Sequence, residues 1–380
     1  MAIISCAFEP FSGLAVLRWL VDTILQQRNM TNNNKYTIIG AGLSGLVTAY
    51  QLFKAGEKDF IILEARDRIG GRIYSSNGID LGATWLQYFH RDLNNLLKEL
   101  GLQKFEQFRK GTSTLVYDER AIPHNFEINT QEPAAHRVEG GTSALIEALA
   151  APFQDKIFLN TQVQHISDNG QQVLVGSNNG QFSAKKVVVT LPPKLAKQLQ
   201  YEPPLPDALY QAMSGTHTWM GNAIKVGIEF NSSFWKTQGH SGTLIGQVGP
   251  IKELYDHTNA DNTRFALMGF VNENLRKLQP SDRKEYLFNG IENVLGKEVR
   301  NYTNYQEKDW AQDLYTSTAT QESNYQHPNY GNPIFQALQM NGKLLFSGTE
   351  TAANYGGYME GAVSSGLQTA RRLQQKEWNR

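Results

Sequence analysis

Residues 36–72 read YTIIGAGLSGLVTAYQLFKAGEKDFIILEARDRIGGR, and this stretch decides the fold class. Residues 36–39 are a short apolar run of the kind that forms a buried parallel strand. Gly40, Gly42 and Gly45 come next as a GxGxxG turn, and Leu43, Leu46, Val47 and Tyr50 then recur at helical spacing. Gly56 closes the helix, and FIILE at 60–64 reads as a second parallel strand that ends on Glu64. Strand, glycine turn, helix, strand and terminal acid together make a dinucleotide-binding fingerprint.

Each position has a physical task. Gly40 permits the tight turn, Gly42 lets the backbone approach a pyrophosphate, and Gly45 lets the helix pack closely on the strand. Ser44 lies at the helix start, where free N–H groups and the helix dipole favour a phosphate charge. Glu64, 19 residues beyond Gly45, can accept hydrogen bonds from ribose hydroxyls. These residues alone leave NAD and FAD both open.

Outward from this stretch, 380 residues suffice for two domains. Lys plus Arg equals Asp plus Glu at 36 each, so no net charge favours nucleic acid or an anionic membrane as a partner. The single cysteine, Cys6, excludes an internal disulfide framework and a cysteine-ligated metal, and it suits a reducing, cytoplasmic location. The eight histidines lack the short spacing of ligands on one helix, so no metal is expected. Residues 11–25 are apolar in places, but Arg18 and Asp22 interrupt them short of the ~20 residues of a membrane span. Glu9 argues against a signal peptide. Met30 opens MTNNNKYTIIGAG like a natural start, so residues 1–34 are read as an N-terminal extension.

The residues after Glu64 narrow the cofactor. LEARDRIGGR continues through Ala65, Arg66, Gly70, Gly71 and Arg72, and this resembles the second phosphate loop of the flavin amine oxidase superfamily, the monoamine and polyamine oxidases. The resemblance extends over nearly all of residues 35–375. DLGATWLQ at 80–87 is similar to the segment under the flavin, with Gly82, Ala83, Thr84 and Trp85 matching. RVEGGTSALIEAL at 137–149 resembles the return to the flavin domain. A meander of strands comes next, and Val163 matches a residue whose backbone meets the adenine. LLFSGTETAANYGGYMEGAV resembles the family's C-terminal motif. There Gly348, Thr349 and Glu350 meet the ribityl–phosphate part of FAD, and Met359 begins a helix aimed at the flavin pyrimidine.

The resemblance also implies catalytic positions. In MGNAIKVGIEF, Ile224, Val226, Ile228 and Phe230 alternate onto one face and place Lys225 on the other with Glu229. By period alone Lys225 is a solvated strand lysine. The resemblance instead makes it the lysine that holds a water against the flavin and assists reaction of the reduced cofactor with oxygen. Trp310 corresponds to the tryptophan beside the flavin ring. Tyr358 stands as one wall of the slot that receives the amine.

Three departures are visible. Aligning KDWAQDLYTSTAT puts Ala319 where animal monoamine oxidases carry the cysteine that binds FAD, so a non-covalent FAD is expected. Thr320 takes the place of the second slot tyrosine, and Gln87 that of a polyamine oxidase histidine. Between His136 and Arg137, relatives carry a helical cap of about a hundred residues, and this chain lacks it. The loop at 104–136 and the strands from 221 to 270 are therefore expected to wall an open cavity, or a neighbouring subunit of a homo-oligomer closes it.

The fold expected is α/β. It has a Rossmann-like, glutathione-reductase-like FAD-binding domain (35–81, 137–200 and 341–380) and an α+β substrate domain on a mostly antiparallel sheet (82–136 and 201–340). The activity implied is oxidation of a small-molecule amine, bulky ones included, to an imine and then a carbonyl compound, with oxygen as acceptor giving hydrogen peroxide. The alternatives are amino acid oxidation or desaturation on the same fold, or a flavin-binding protein without catalysis.

Overall fold

The computed structural model describes residues 33–118, 120, 122–318 and 329–375. Cys6, Ala319, Thr320 and the greater part of the N-terminal extension lie outside the described residues.

The 36–72 stretch folds as a strand over Asn33–Ile39, a helix over Leu43–Lys54 and a strand over Phe60–Leu63 that pairs parallel with the first. Gly45 explains how tightly the helix sits. A Cβ built there would lie 2.1 Å from the Gly40 carbonyl oxygen, a distance no side chain tolerates. The same helix packs on a helix over Met359–Gln374, and Gly366 allows the approach, since a Cβ there would meet the Ser44 oxygen at 2.7 Å.

Eight strands form the first sheet. Its parallel part runs in the order Ile157–Phe158, Phe60–Leu63, Asn33–Ile39, Gly180–Val189 and Leu344–Phe346. The long strand Gly180–Val189 belongs to two neighbourhoods. Its first half pairs antiparallel with Val173–Ser177 and its second half parallel with Leu344–Phe346. Val163–Asp168 and Gln200–Glu202 complete the edge. Buried Ile38, Ile62 and Val188 pack under the helices on one face, and Ile39, Leu63 and Val189 pack on the other. Strands buried on both faces are continuous apolar runs, as FIIL and VVV are.

The second sheet has seven strands in the order Tyr302–Asp309, Ile224–Phe230, Phe265–Val271, Ile251–Asp256, His240–Gly246, Thr112–Val116 and His124–Glu127. Its pairings are antiparallel except that between His240–Gly246 and Thr112–Val116. A helix over Pro280–Leu295 covers one face through Leu287, Phe288 and Ile291, against Ile224, Val226 and Ile228. Ile79 and Leu81 cover the other, so close that a Cβ on Gly227 would stand 2.6 Å from Ile79 Cγ2.

This second cover corrects the solvated reading of Lys225. Alternation sorts the strand into two faces as expected, but both faces are packed, and Lys225 is only 3% exposed. Where the helical cap would be inserted, the chain runs directly on. His136–Val138 pairs with Lys104–Glu106, and Leu86 exchanges backbone hydrogen bonds with His136. Among the described residues no helix is long and apolar enough to cross a membrane.

Candidate active site

A cavity of about 710 Å³ lies where the two sheets meet, and it gathers most of the residues singled out in the sequence. From the first sheet and its loops come Gly40, Gly42, Ser44, Glu64, Ala65, Arg66, Gly71, Arg72, Val163, Gly348, Thr349 and Met359. Gly82, Ala83, Thr84, Trp85, Lys225, Trp310 and Tyr358 line the remainder. Gly45 and Glu350 are not on the lining. Gly45 works one layer back, against Gly40, and Glu350 is buried with its carboxylate 2.7 Å from Arg72 Nη1. Arg72 therefore reaches the cavity as one half of an ion pair. The second loop is held against the first by the Gly70 N–H, which donates to the Ala41 oxygen at 2.8 Å.

The fingerprint end is preorganised. Glu64 accepts from the Ala41 N–H at 2.8 Å and the Arg66 N–H at 3.0 Å, which fixes its carboxylate at the end of its strand. Arg66 donates to Asp313 at 2.7 Å and to Thr316 at 2.9 Å. Burial disfavours the Asp313 anion, but the charges of Arg66 and Lys308 outweigh it and hold the acid at about 2. Gly42 is bare in the sense the fingerprint needs: a Cβ there meets no protein atom within 4 Å, because it would point into the cavity.

Lys225 is the chemical centre of the other end. Its Nζ donates to the Gly82 oxygen and to Thr84 Oγ1, both at 2.7 Å, and lies 5.0 Å from the Phe270 ring centroid. Burial lowers its pKa to about 7, opposed by the negative charges of Asp80 and Glu253. An ammonium ready to release its proton near neutrality thus faces the cavity. Trp310 is fixed beside it by donating its indole N–H to the Leu81 oxygen at 2.8 Å.

Tyr358 precedes the helix over Met359–Gln374 and is 50% exposed. Its ring lies 6.3 Å from Trp219 and 6.0 Å from His90, which also line the cavity. Trp219 and His90 were missed in the sequence. They sit in loops, where no periodicity marks a residue, and only proximity to Tyr358 reveals them. His90 Nδ1 accepts from the Gln87 N–H at 3.2 Å, and burial holds the imidazole below its usual range, so it is neutral with its proton on Nε2. No described residue of 104–136 lines the cavity. The strands from 221 to 270 supply Ala223, Lys225 and Phe270, and Gln87, His90, Trp219 and Met220 stand where the loop was expected.

Two glycine turns stacked on a bare helix start, an acid anchored at the end of the second strand and a buried lysine at the opposite end define a flavoprotein oxidoreductase site, and FAD fits its length and chemistry. A profile described as flavin containing amine oxidoreductase matches residues 43–135 and 117–374, and the chain belongs to that family. Among its relatives, a probable flavin-containing monoamine oxidase A of Dictyostelium discoideum is 25% identical over 453 residues, covering 90% of this chain and 98% of that protein. The flavin-containing amine oxidase B of Mus musculus is 26% identical over 458 residues, covering 90% and 86%. Both alignments are longer than this 380-residue chain, so they carry long gaps opposite it. The fold is that of wild-type putrescine oxidase bound to putrescine (TM-score 0.78, 23% identity, 90% and 99% covered). It is equally that of cyclohexylamine oxidase from Brevibacterium oxydans IH-35A (TM-score 0.80, 21% identity, 92% and 100% covered).

FAD is the cofactor, and its attachment is testable. Ala319 has no nucleophilic atom and Cys6 is distant in sequence from every cavity-lining residue. Acid precipitation of the purified protein is expected to leave the yellow colour in the supernatant; colour in the pellet contradicts this.

Proposed function

We propose that the protein oxidises an amine to an imine and passes the electrons to oxygen. The observation that carries this reading is Lys225, buried, hydrogen-bonded to Gly82 and Thr84 and facing the cavity. Bound FAD supplies the two-electron acceptor. The amine loses two electrons and two protons, oxygen gains them as hydrogen peroxide, and water hydrolyses the imine to a carbonyl compound. The chain's own residues do the rest. Gly40, Gly42, Gly71 and Arg72 hold the phosphates, and Glu64 holds the ribose. Trp310 and Trp85 fix the position of the ring, and Tyr358 walls the amine's approach. Lys225 places a proton donor where oxygen is reduced.

This reading extends to the organisation of the chain. The first sheet acts as a Rossmann-like, glutathione-reductase-like FAD-binding domain from 35–81, 137–200 and 341–380. The second acts as a substrate domain from 82–136 and 201–340. An amino acid substrate is disfavoured because its carboxylate needs an unpaired arginine. Arg276 is paired with Asp309, Arg283 with Glu307 and Arg300 with Glu285 and Glu292, and neither these three nor Arg264 lines the cavity. A flavin protein without catalysis has no use for an ammonium buried at the cofactor, which costs stability.

Anaerobic mixing with a panel of amines tests the reading. Flavin absorbance is expected to bleach with at least one amine and to return on admitting oxygen, with peroxide formed. No bleaching by any amine overturns it.

The half-exposed Tyr358 and Met220 (41%) further support a cavity that is open, or closed by a second copy in place of the missing cap. Iodide is expected to quench the flavin fluorescence of dilute monomer, with protection appearing only as sedimentation shows association. Full protection in the monomer contradicts this.

A further inference from the structure

A row of aromatic rings leads out of the cavity. Trp219, Tyr358 and His90 line it, and His90 lies 5.3 Å from Tyr355 and 5.1 Å from Phe89. Phe89 and Tyr355 are stacked at 5.8 Å with 26° between their planes, and Tyr88 meets Phe89 edge-on at 5.1 Å. The outer three are 61% (Tyr88), 46% (Phe89) and 43% (Tyr355) exposed. Large apolar rings left contiguous on a surface mark a place where something binds. Tyr355 holds its place at φ +53°, a left-handed conformation that bulky residues seldom adopt, fixed by the Tyr358 N–H donating to its carbonyl at 3.1 Å. The row is continuous with the cavity, so whatever lies on it is continuous with what enters.

We propose that Tyr88, Phe89 and Tyr355 form a subsite for the apolar tail of the substrate, so that the enzyme prefers amines bearing a long alkyl or aryl-alkyl chain. The inference rests on the amine-oxidising reading and names its substrate class. The tail is apolar because the row offers ring faces and the carboxylates around it are already paired or hydrogen-bonded. Glu64 is the only carboxylate among the described lining residues, and it sits at the fingerprint end, held by the Ala41 and Arg66 N–H groups. Glu360 is buried with both oxygens taken by the Asp92 and Leu93 N–H groups. Asp92, the acid next along the chain from the row, faces the Arg91 guanidinium at 3.5 Å, so its charge is already balanced. His90 is neutral and adds no attraction.

The test compares propylamine, octylamine and 1,8-diaminooctane on the FAD-loaded enzyme and on its Phe89→Ala and Tyr88→Ser variants. In the wild type, kcat/KM is expected to rise about ten-fold from propylamine to octylamine, because several methylenes leave water. Octylamine is expected to exceed 1,8-diaminooctane. Both variants are expected to lose most of that rise while keeping FAD content and the propylamine value. A flat dependence on chain length, an equal rise in both variants, or a diamine as good as octylamine overturns the proposal. So does a variant that changes only the sedimentation of the protein, which makes the row a contact between copies. If no amine of any length bleaches the flavin, the amine-oxidising reading itself fails, whereas turnover of propylamine without a chain-length effect removes this inference alone.

Discussion

In Lys225→Met, reoxidation of the reduced cofactor by oxygen is expected to slow by about a hundred- to a thousand-fold, while reduction by amine changes little. Charge develops as oxygen is reduced, and a fixed donor in a dry site stabilises it by roughly 3–4 kcal/mol. Methionine is an unbranched apolar chain of nearly the same reach but provides neither proton nor charge. A second signature separates this role from packing. Burial brings the Lys225 pKa to about 7, so the group is charged below that pH and neutral above it. Wild-type reoxidation is therefore expected to fall as pH rises through about 7, and the methionine variant to be flat over the same window. Stopped-flow reoxidation from pH 6 to 9 checks both. A variant that reoxidises like wild type makes Lys225 a structural residue.

Two of the three fingerprint glycines, Gly45 and Gly42, are expected to fail differently when each becomes alanine. At Gly45 the new Cβ would stand 2.1 Å from the Gly40 oxygen and 3.1 Å from Thr190 Oγ1, between a helix and a strand that cannot both stay in place. A loss of ~3 kcal/mol or more of stability is expected, read as a lowered melting temperature of the apoprotein. At Gly42 the new Cβ meets no protein atom, so the apoprotein melts as before. What it meets is the space for the pyrophosphate, and FAD affinity is expected to drop by about ten- to a hundred-fold, as charge-assisted hydrogen bonds to the phosphates lengthen. Calorimetry of the apoprotein and FAD titration separate the two. If Gly42→Ala binds FAD normally, the phosphates do not lie there.

The reach of the sequence is set by the range of the forces involved. The glycine cradle is legible because every contact that shapes it is local. Gly40, Gly45 and the helix they start lie within a few residues, and Glu64 is one strand away. The apolar runs at 60–63 and 187–189 are legible for a related reason, since strands buried on both faces need no polar positions. Lys225 shows the limit. Alternation in Ile224–Phe230 separates its faces, but only the arrival of Ile79 and Leu81 from far along the chain decides that the second face is dry.

Contacts between distant segments belong to the tertiary structure alone. Arg72 and Glu350 are each legible as cofactor residues, yet their pairing at 2.7 Å joins two loops far apart in the chain. Trp219 and His90 carry no sequence signal, because loops have no period, and they become cavity residues only where the fold sets them against Tyr358. The sequence by itself thus determined the cofactor cradle and the run of strands, because these depend on neighbours and on spacing. Tertiary structure decided that Lys225 is buried, what walls the cavity and where the aromatic row leaves it, because burial is a property of what packs against a residue from elsewhere.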